Sequence, residues 1–183
     1  MTNSYKGKLL ISTPDTMGDI FSRSVVLIIE HNDEGAFGLI LNKKHKRIAA
    51  KLEYISPLEI NIYEGGPMES DKLFFIIKGE PITPYFTRIN EKFYMSEDIE
   101  TIFTSLIEQS IKMEDVKIFA GYSGWSPGQL ESEVKNKYWT LIEDSYQLDY
   151  VAKTDTNLWR TMMQNLGGEY LLWANTPADV HWN

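Results

Sequence analysis

Short apolar runs, broken by glycine, proline or Asn/Asp-rich turns, alternate with a few stretches of helical spacing along the chain. Residues 7–11 read as a first strand, stopped at Thr13-Pro14-Asp15 because proline has no N–H to continue a ladder. Residues 24–30, S-V-V-L-I-I-E, are rich in β-branched side chains and read as a buried strand. A turn over residues 31–35 and a second apolar run over 36–41 complete a hairpin with a loop of about five residues. Residues 48–54 suit a short helix ending before Pro57. Strands are expected at 60–63 and 73–77, on either side of Gly65-Gly66-Pro67, and a second hairpin at 86–89 and 92–95 around Asn90-Glu91.

The clearest helical pattern covers residues 97–111. Ser96 is placed to cap it, Glu97 and Asp98 complement the positive end of its dipole, and Ile99, Ile102, Phe103, Leu106 and Ile107 form one stripe. Strands follow at 116–120 and 138–142. A helix over Asn157–Leu166 takes Thr156 as its cap and Gly167 as its terminator, and residues 170–173 read as a final strand. Hairpins outnumber βαβ units. The fold class expected is α+β: a single domain over 1–183 whose hairpin-rich, mostly antiparallel sheet forms a small barrel-like or bifurcated sheet surrounded by helices.

Composition narrows the chemistry. The 183 residues include no cysteine, which removes disulfides, thiol nucleophiles and thiolate metal sites and fits a reducing cytosol. No signal peptide or membrane-length apolar run is visible, so a cytoplasmic protein is expected. The net charge of −8 disfavours nucleic acid and anionic membranes as general partners. One basic cluster departs from this: Lys43, Lys44, Lys46, Arg47 and Lys51 fall within nine residues. It reads as a solvated loop and first helical turn, with direct nucleic-acid binding as the alternative.

Residues 121–133, G-Y-S-G-W-S-P-G-Q-L-E-S-E, concentrate the remaining signals. Gly124-Trp125-Ser126-Pro127-Gly128 matches the G-x-S-x-G of a hydrolase elbow, in which the residue after serine donates its backbone N–H to the oxyanion. Here that residue is Pro127, and losing such a donor costs on the order of 10²–10³ in rate. Ser126 reads better as a helix cap, with Pro127 in the first turn and Gln129 reaching back in a capping box. Ser123 has no base at a fixed spacing, so a hydrolase using Ser123 or Ser126 stays only as an alternative. His31, His45 and His181 make no zinc pattern, Asp15 and Asp19 no marked acid–base pair, and His31 is expected at a solvated hairpin tip. Gly65-Gly66-Pro67 lacks the residues of a phosphate loop and reads as a tight turn or close backbone packing. Trp125, Trp139, Trp159 and Trp173 are expected to pack in the core or at its rim.

Phe21 to Lys43 (F-S-R-S-V-V-L-I-I-E-H-N-D-E-G-A-F-G-L-I-L-N-K), Gly65-Gly66-Pro67 and the 121–133 block followed by Trp139 together resemble the bacterial YqgE/AlgH family, over essentially the whole chain. The opening G-K-L-L-I-S-T-P and closing P-A-D-V-H-W-N fit as well. The resemblance implies an α+β domain with a small closed or bifurcated β-barrel, and some members carry a transcriptional-regulator label. It implies no catalytic residue, metal or cofactor. The family commonly has glycine where this chain has Ser126. Arg23, Asn42, Trp125, Gln129 and Glu131 are the polar or amphipathic motif positions expected to line a cleft, and Gly65, Gly66, Pro67, Gly124, Ser126 and Pro127 are expected to shape turns. The function expected is a non-enzymatic binding or regulatory protein with a protein partner.

Overall fold

The computed structural model describes residues 4–14, 20–45, 60–143, 148–153 and 157–177. Within them the apolar runs become nine strands: β1 (Leu9–Ser12), β2 (Val25–Asn32), β3 (Gly35–Ile40), β4 (Ile62–Glu64), β5 (Met68–Lys78), β6 (Thr87–Arg88), β7 (Phe93–Ser96), β8 (Val116–Trp125) and β9 (Trp139–Ile142). Four α-helices join them: α1 (Ile99–Ile107), α2 (Gln129–Lys135), α3 (Asn157–Leu166) and α4 (Tyr170–Asn175). The strand order is β6-β7-β5-β8-β3-β2-β1-β9, with β4 pairing β8 off this path.

Both faces of the sheet are covered, which is why its strands read as continuous apolar runs. Val25, Leu27 and Ile29 of β2 enter one core with Leu9 and Ile11, while Val26 and Ile28 enter another with Leu10, as the period of two requires. The first core is shared by both ends of the sheet and closed by Trp159, Met163 and Ala174 of the C-terminal helices. Helix α1 covers Phe75, Ile77 and Ile118 on an outer face, and α2 covers Leu10, Val26 and Ile40 on another.

Strand β8 is where the sheet forks. Across Ile118–Ala120 it pairs β5 on one edge and β4, in parallel, on the other. Across Ser123–Trp125 it pairs β3 instead. The bifurcated sheet is therefore present. The barrel-like closure is not: β6 and β9 end the path and no ladder joins them.

Other elements differ from expectation for local reasons. The first hairpin is tighter, since Asn32 pairs Gly35 and its Oδ1 accepts the Glu34 N–H at 2.8 Å, leaving a two-residue turn. Asp98, not Ser96, caps α1 by accepting the Thr101 N–H at 3.0 Å; Ser96 belongs to β7 and its Oγ accepts from the Asp98 N–H. Helix α1 ends at Ile107, which is exposed, rather than reaching residue 111. Residues 170–173 are helix, not strand, because the chain reverses at Gly167-Gly168 and lays α4 against α3. The helix expected at 48–54, the Thr156 cap, Asp15, Asp19 and His181 lie outside the described residues.

Candidate functional site

Strand β8 runs through Gly121, Tyr122, Ser123 and Gly124 to Trp125, so these are ladder residues rather than a turn. Gly121 sits at φ +71 between the two halves of the strand. A Cβ there would lie 2.6 Å from the Gly66 carbonyl oxygen and 2.8 Å from that of Met68. A Cβ on Gly65 would in turn lie 2.2 Å from the Gly121 oxygen, so the two glycine segments fit only because both lack side chains. Ser123 is fully buried and its Oγ donates to the Gly65 carbonyl at 3.0 Å, which makes it part of this joint and withdraws it from nucleophilic chemistry.

The following turn corrects the capping reading. The Gln129 N–H donates to the Ser126 carbonyl at 3.0 Å, and Gly128 lies at φ +74, ψ −6. With proline second and glycine third, Ser126-Pro127-Gly128-Gln129 is a type II turn. Gly128 is the N-cap of α2 and no side chain caps it. Gln129 Oε1 does accept the Ser126 N–H at 2.9 Å, so one half of the expected box forms. The serine's own half does not.

This turn aims one face of α2 at two tryptophans. Gln129 and Glu133, four residues apart, share that face. Glu133 Oε2 accepts the indole N–H of Trp125 at 2.9 Å and that of Trp139 at 2.8 Å, while its Oε1 accepts from Gln129 Nε2 at 2.8 Å. The indoles meet edge to face at 6.2 Å, and Phe21 packs edge-on against Trp139 at 5.6 Å. Phe21, Gly124, Trp125, Gln129, Glu133, Tyr138 and Trp139 line a cleft of about 190 Å³. Its lining is apolar and aromatic with one carboxylate.

The structure divides the sequence-expected cleft. Trp125 and Gln129 line it; Glu131, Arg23 and Asn42 do not. Glu131 lies 3.0 Å from His31 Nε2. That ring is not at a solvated tip: its side chain is 4% exposed, it stacks on Tyr5, and its Nδ1 accepts the Tyr5 N–H at 2.9 Å. Because Nδ1 accepts, Nε2 carries the proton donated to Glu131. Arg23 stands over the Trp159 ring at 5.1 Å and donates to the Thr176 carbonyl, pinning the C-terminal helices to the sheet. Asn42 is buried, accepting the Val25 N–H and donating to the Arg23 carbonyl, both at 2.9 Å. Glu133 was missed, although its place four residues after Gln129 on the helix face was a readable signal.

A second polar feature also lay hidden in an apolar run. Lys117 of β8 is buried, donating to the carbonyls of Leu41 at 2.8 Å and Ala152 at 2.9 Å, with its Nζ 4.0 Å from the Tyr63 ring centre. Burial pushes its pKa down to about 7, with the charge of Asp149 opposing the shift. It borders a cavity of about 220 Å³ that Asn61, Glu114 and Lys153 also line. Of the basic cluster, Lys43 donates to the Ile20 carbonyl and Lys44 bridges to Tyr63; Lys46, Arg47 and Lys51 lie outside the described residues. Among the described residues, no three His, Asp or Glu side chains are placed to hold a metal, and no helix is long and apolar enough to cross a membrane.

Known proteins share this architecture and sequence. The chain is 37% identical to a UPF0301 protein of Cytophaga hutchinsonii over 97% of its own length and 98% of the relative's. It is 35% identical to one of Parabacteroides distasonis, covering 97% and 91%. The solution structure of the AlgH protein from Pseudomonas aeruginosa superposes with a TM-score of 0.72 at 24% identity, over 97% of this chain and 96% of that one. A crystal structure of a Corynebacterium diphtheriae protein gives 0.71 at 22% identity, over 93% and 91%. At these identities the two structures establish the fold alone. With the AlgH-like family profile (DUF179) matching residues 9–171, the chain belongs to the AlgH-like family.

Proposed function

We propose that this chain is a non-catalytic cytoplasmic binding protein that docks a protein partner at the cleft between β8, α2 and β9. The observation that carries this reading is Glu133: its carboxylate organises two tryptophans and Gln129 around an open, mainly aromatic recess. Tryptophan and tyrosine in such recesses supply much of the energy of protein interfaces. A chemical role has less support. Ser123 is buried in a ladder, and Ser126 sits before a proline that cannot complete an oxyanion hole. Direct binding of nucleic acid is opposed by the charge of −8.

Tyr138, 38% exposed at the rim, allows a clean test. Affinity capture from the cytosol of the native host, with the wild type and with Tyr138→Ala, is expected to enrich a protein that the variant loses at least about tenfold, with folding stability changed by less than about 1 kcal/mol. Enrichment no greater than on empty resin, or capture undiminished in the variant, would refute the reading.

A further inference from the structure

Among the described residues, Glu133 is set apart from the acids that pair with lysine or arginine by what surrounds it. Among the described residues, ion pairs join Lys8 to Glu143, Lys72 to Glu97, Lys78 to Asp149, Arg88 to Glu80 and Lys112 to Glu114, while Glu131 accepts from the His31 Nε2–H. Glu133 is in none of them, and all three of its hydrogen-bond donors are neutral N–H groups. Its negative charge is therefore solvated by dipoles and balanced by no cation among the described residues.

A carboxylate offers about four acceptor positions. The indoles occupy both positions on Oε2 and Gln129 occupies one on Oε1, which leaves one on Oε1. Gln129 is itself exposed. Phe21, Trp125, Tyr138 and Trp139 line the same cleft; the two indoles are buried and Tyr138 is exposed. A flat cation satisfies both halves of this environment: guanidinium stacks on aromatic faces and donates in-plane N–H groups to a carboxylate. Ammonium is more strongly hydrated and a weaker match to rings. The overall charge of −8 favours a cationic visitor at longer range.

The geometry points to an arginine side chain of a partner protein as the occupant of the cleft, its guanidinium bonded to Glu133 Oε1 and packed against the aromatic lining, where Tyr138 is exposed. This rests on the docking reading above and adds the chemistry that the partner must present.

The test uses the full chain and the capped amino acid Nα-acetyl-arginine methylamide, with the citrulline and lysine analogues as controls. Citrulline has nearly the same shape and no charge, so the comparison leaves the protein untouched. The signals to follow are the indole N–H resonances of Trp125 and Trp139, whose acceptor is the carboxylate in question. Arginine is expected to shift both saturably, citrulline to bind about tenfold more weakly, and lysine to fall between them. Glu133→Gln, which keeps an acceptor for the indoles but removes the charge, is expected to bring arginine down to the citrulline level. Unmoved indole resonances at roughly 50 mM arginine analogue, an equal response to citrulline, or a preference that survives Glu133→Gln would each overturn the proposal. Capture lost in Tyr138→Ala alongside equal binding of arginine and citrulline would leave docking standing and remove the cation. The reverse pattern would keep the cation site and remove the protein partner.

Discussion

Lys117 in the first half of β8 and Glu133, bonded to the tryptophan that ends its second half, are both charged groups set among aromatic rings. Lys117 is enclosed: β4 and β5 flank its half of the strand, and its ammonium is committed to two carbonyls and the face of Tyr63. Those carbonyls belong to Leu41, just past β3, and Ala152, in the segment after β9, so the ammonium ties two further stretches of chain to β8. Glu133 is half-buried and lines a recess, its carboxylate bonded to three neutral donors. The contrast teaches that burial of charge alone does not mark a site. What separates architecture from recognition is whether the group's bonding capacity is consumed inside the fold.

The two halves meet at Gly121, and this joint is the place to break the comparison hardest. Gly121→Ala would force a Cβ against two backbone oxygens at 2.6 and 2.8 Å while holding alanine at φ +71. Neither backbone can retreat without opening the contact between β8 and the Gly65-Gly66 segment. The expected loss is about 4 kcal/mol or more, visible in chemical denaturation or as failure to fold. A loss below about 1 kcal/mol would mean that the fork is far more compliant than its geometry indicates.

The enclosed half is sharpened by pH. The folded pKa of Lys117 is about 7 against 10.5 in an ordinary chain. Between those values the unfolded chain holds a proton that the folded chain has released, so stability rises with pH through that window and is insensitive to this group below it. The slope reaches at most about 1.4 kcal/mol per pH unit. Lys117→Met should flatten the curve between pH 7 and 9, where few other groups titrate, and should cost about 2 kcal/mol at the upper end because two carbonyls lose their donor. Parallel curves for wild type and variant would show that the ammonium does not titrate in the fold.

How much of this was readable follows the same division. β2 and the first half of β8 are visible because their apolar runs are buried, the glycine-rich second half of β8 reads as a turn, and α3 has the bounds that its helical spacing predicts. Tyr-Leu-Leu-Trp at residues 170–173 is too short to carry a period, so packing against α3 decides its state. The fork, the burial of His31 and the convergence of Trp125 with Trp139 are tertiary facts without a local signature. Arg23 and Asn42 carry polar groups that sequence reading assigns to a cleft, yet their partners are backbone atoms distant in the chain. The spacing of Glu133 from Gln129 is legible, but its role is not, because that depends on two indoles brought together from different strands.

The smallest effect is expected at Ser126, where the contrast between scaffold and recess is finest. A serine that capped α2 with its hydroxyl would lose about 1 kcal/mol on replacement by alanine. Here the turn is closed by the Ser126 carbonyl, held open at Gly128 by a left-handed backbone, and braced by Gln129 bonding to the Ser126 N–H. All three survive Ser126→Ala. Denaturation midpoints should therefore move by less than about 0.5 kcal/mol, and the indole resonances of Trp125 and Trp139 should keep their positions. Gln129→Ala at the same turn removes both the brace and a donor to Glu133, so it should displace those resonances while costing only about 1 kcal/mol. If Ser126→Ala proves the more damaging of the two, the hydroxyl matters after all, and the turn's rigidity comes from the serine side chain rather than from Pro127 and Gly128.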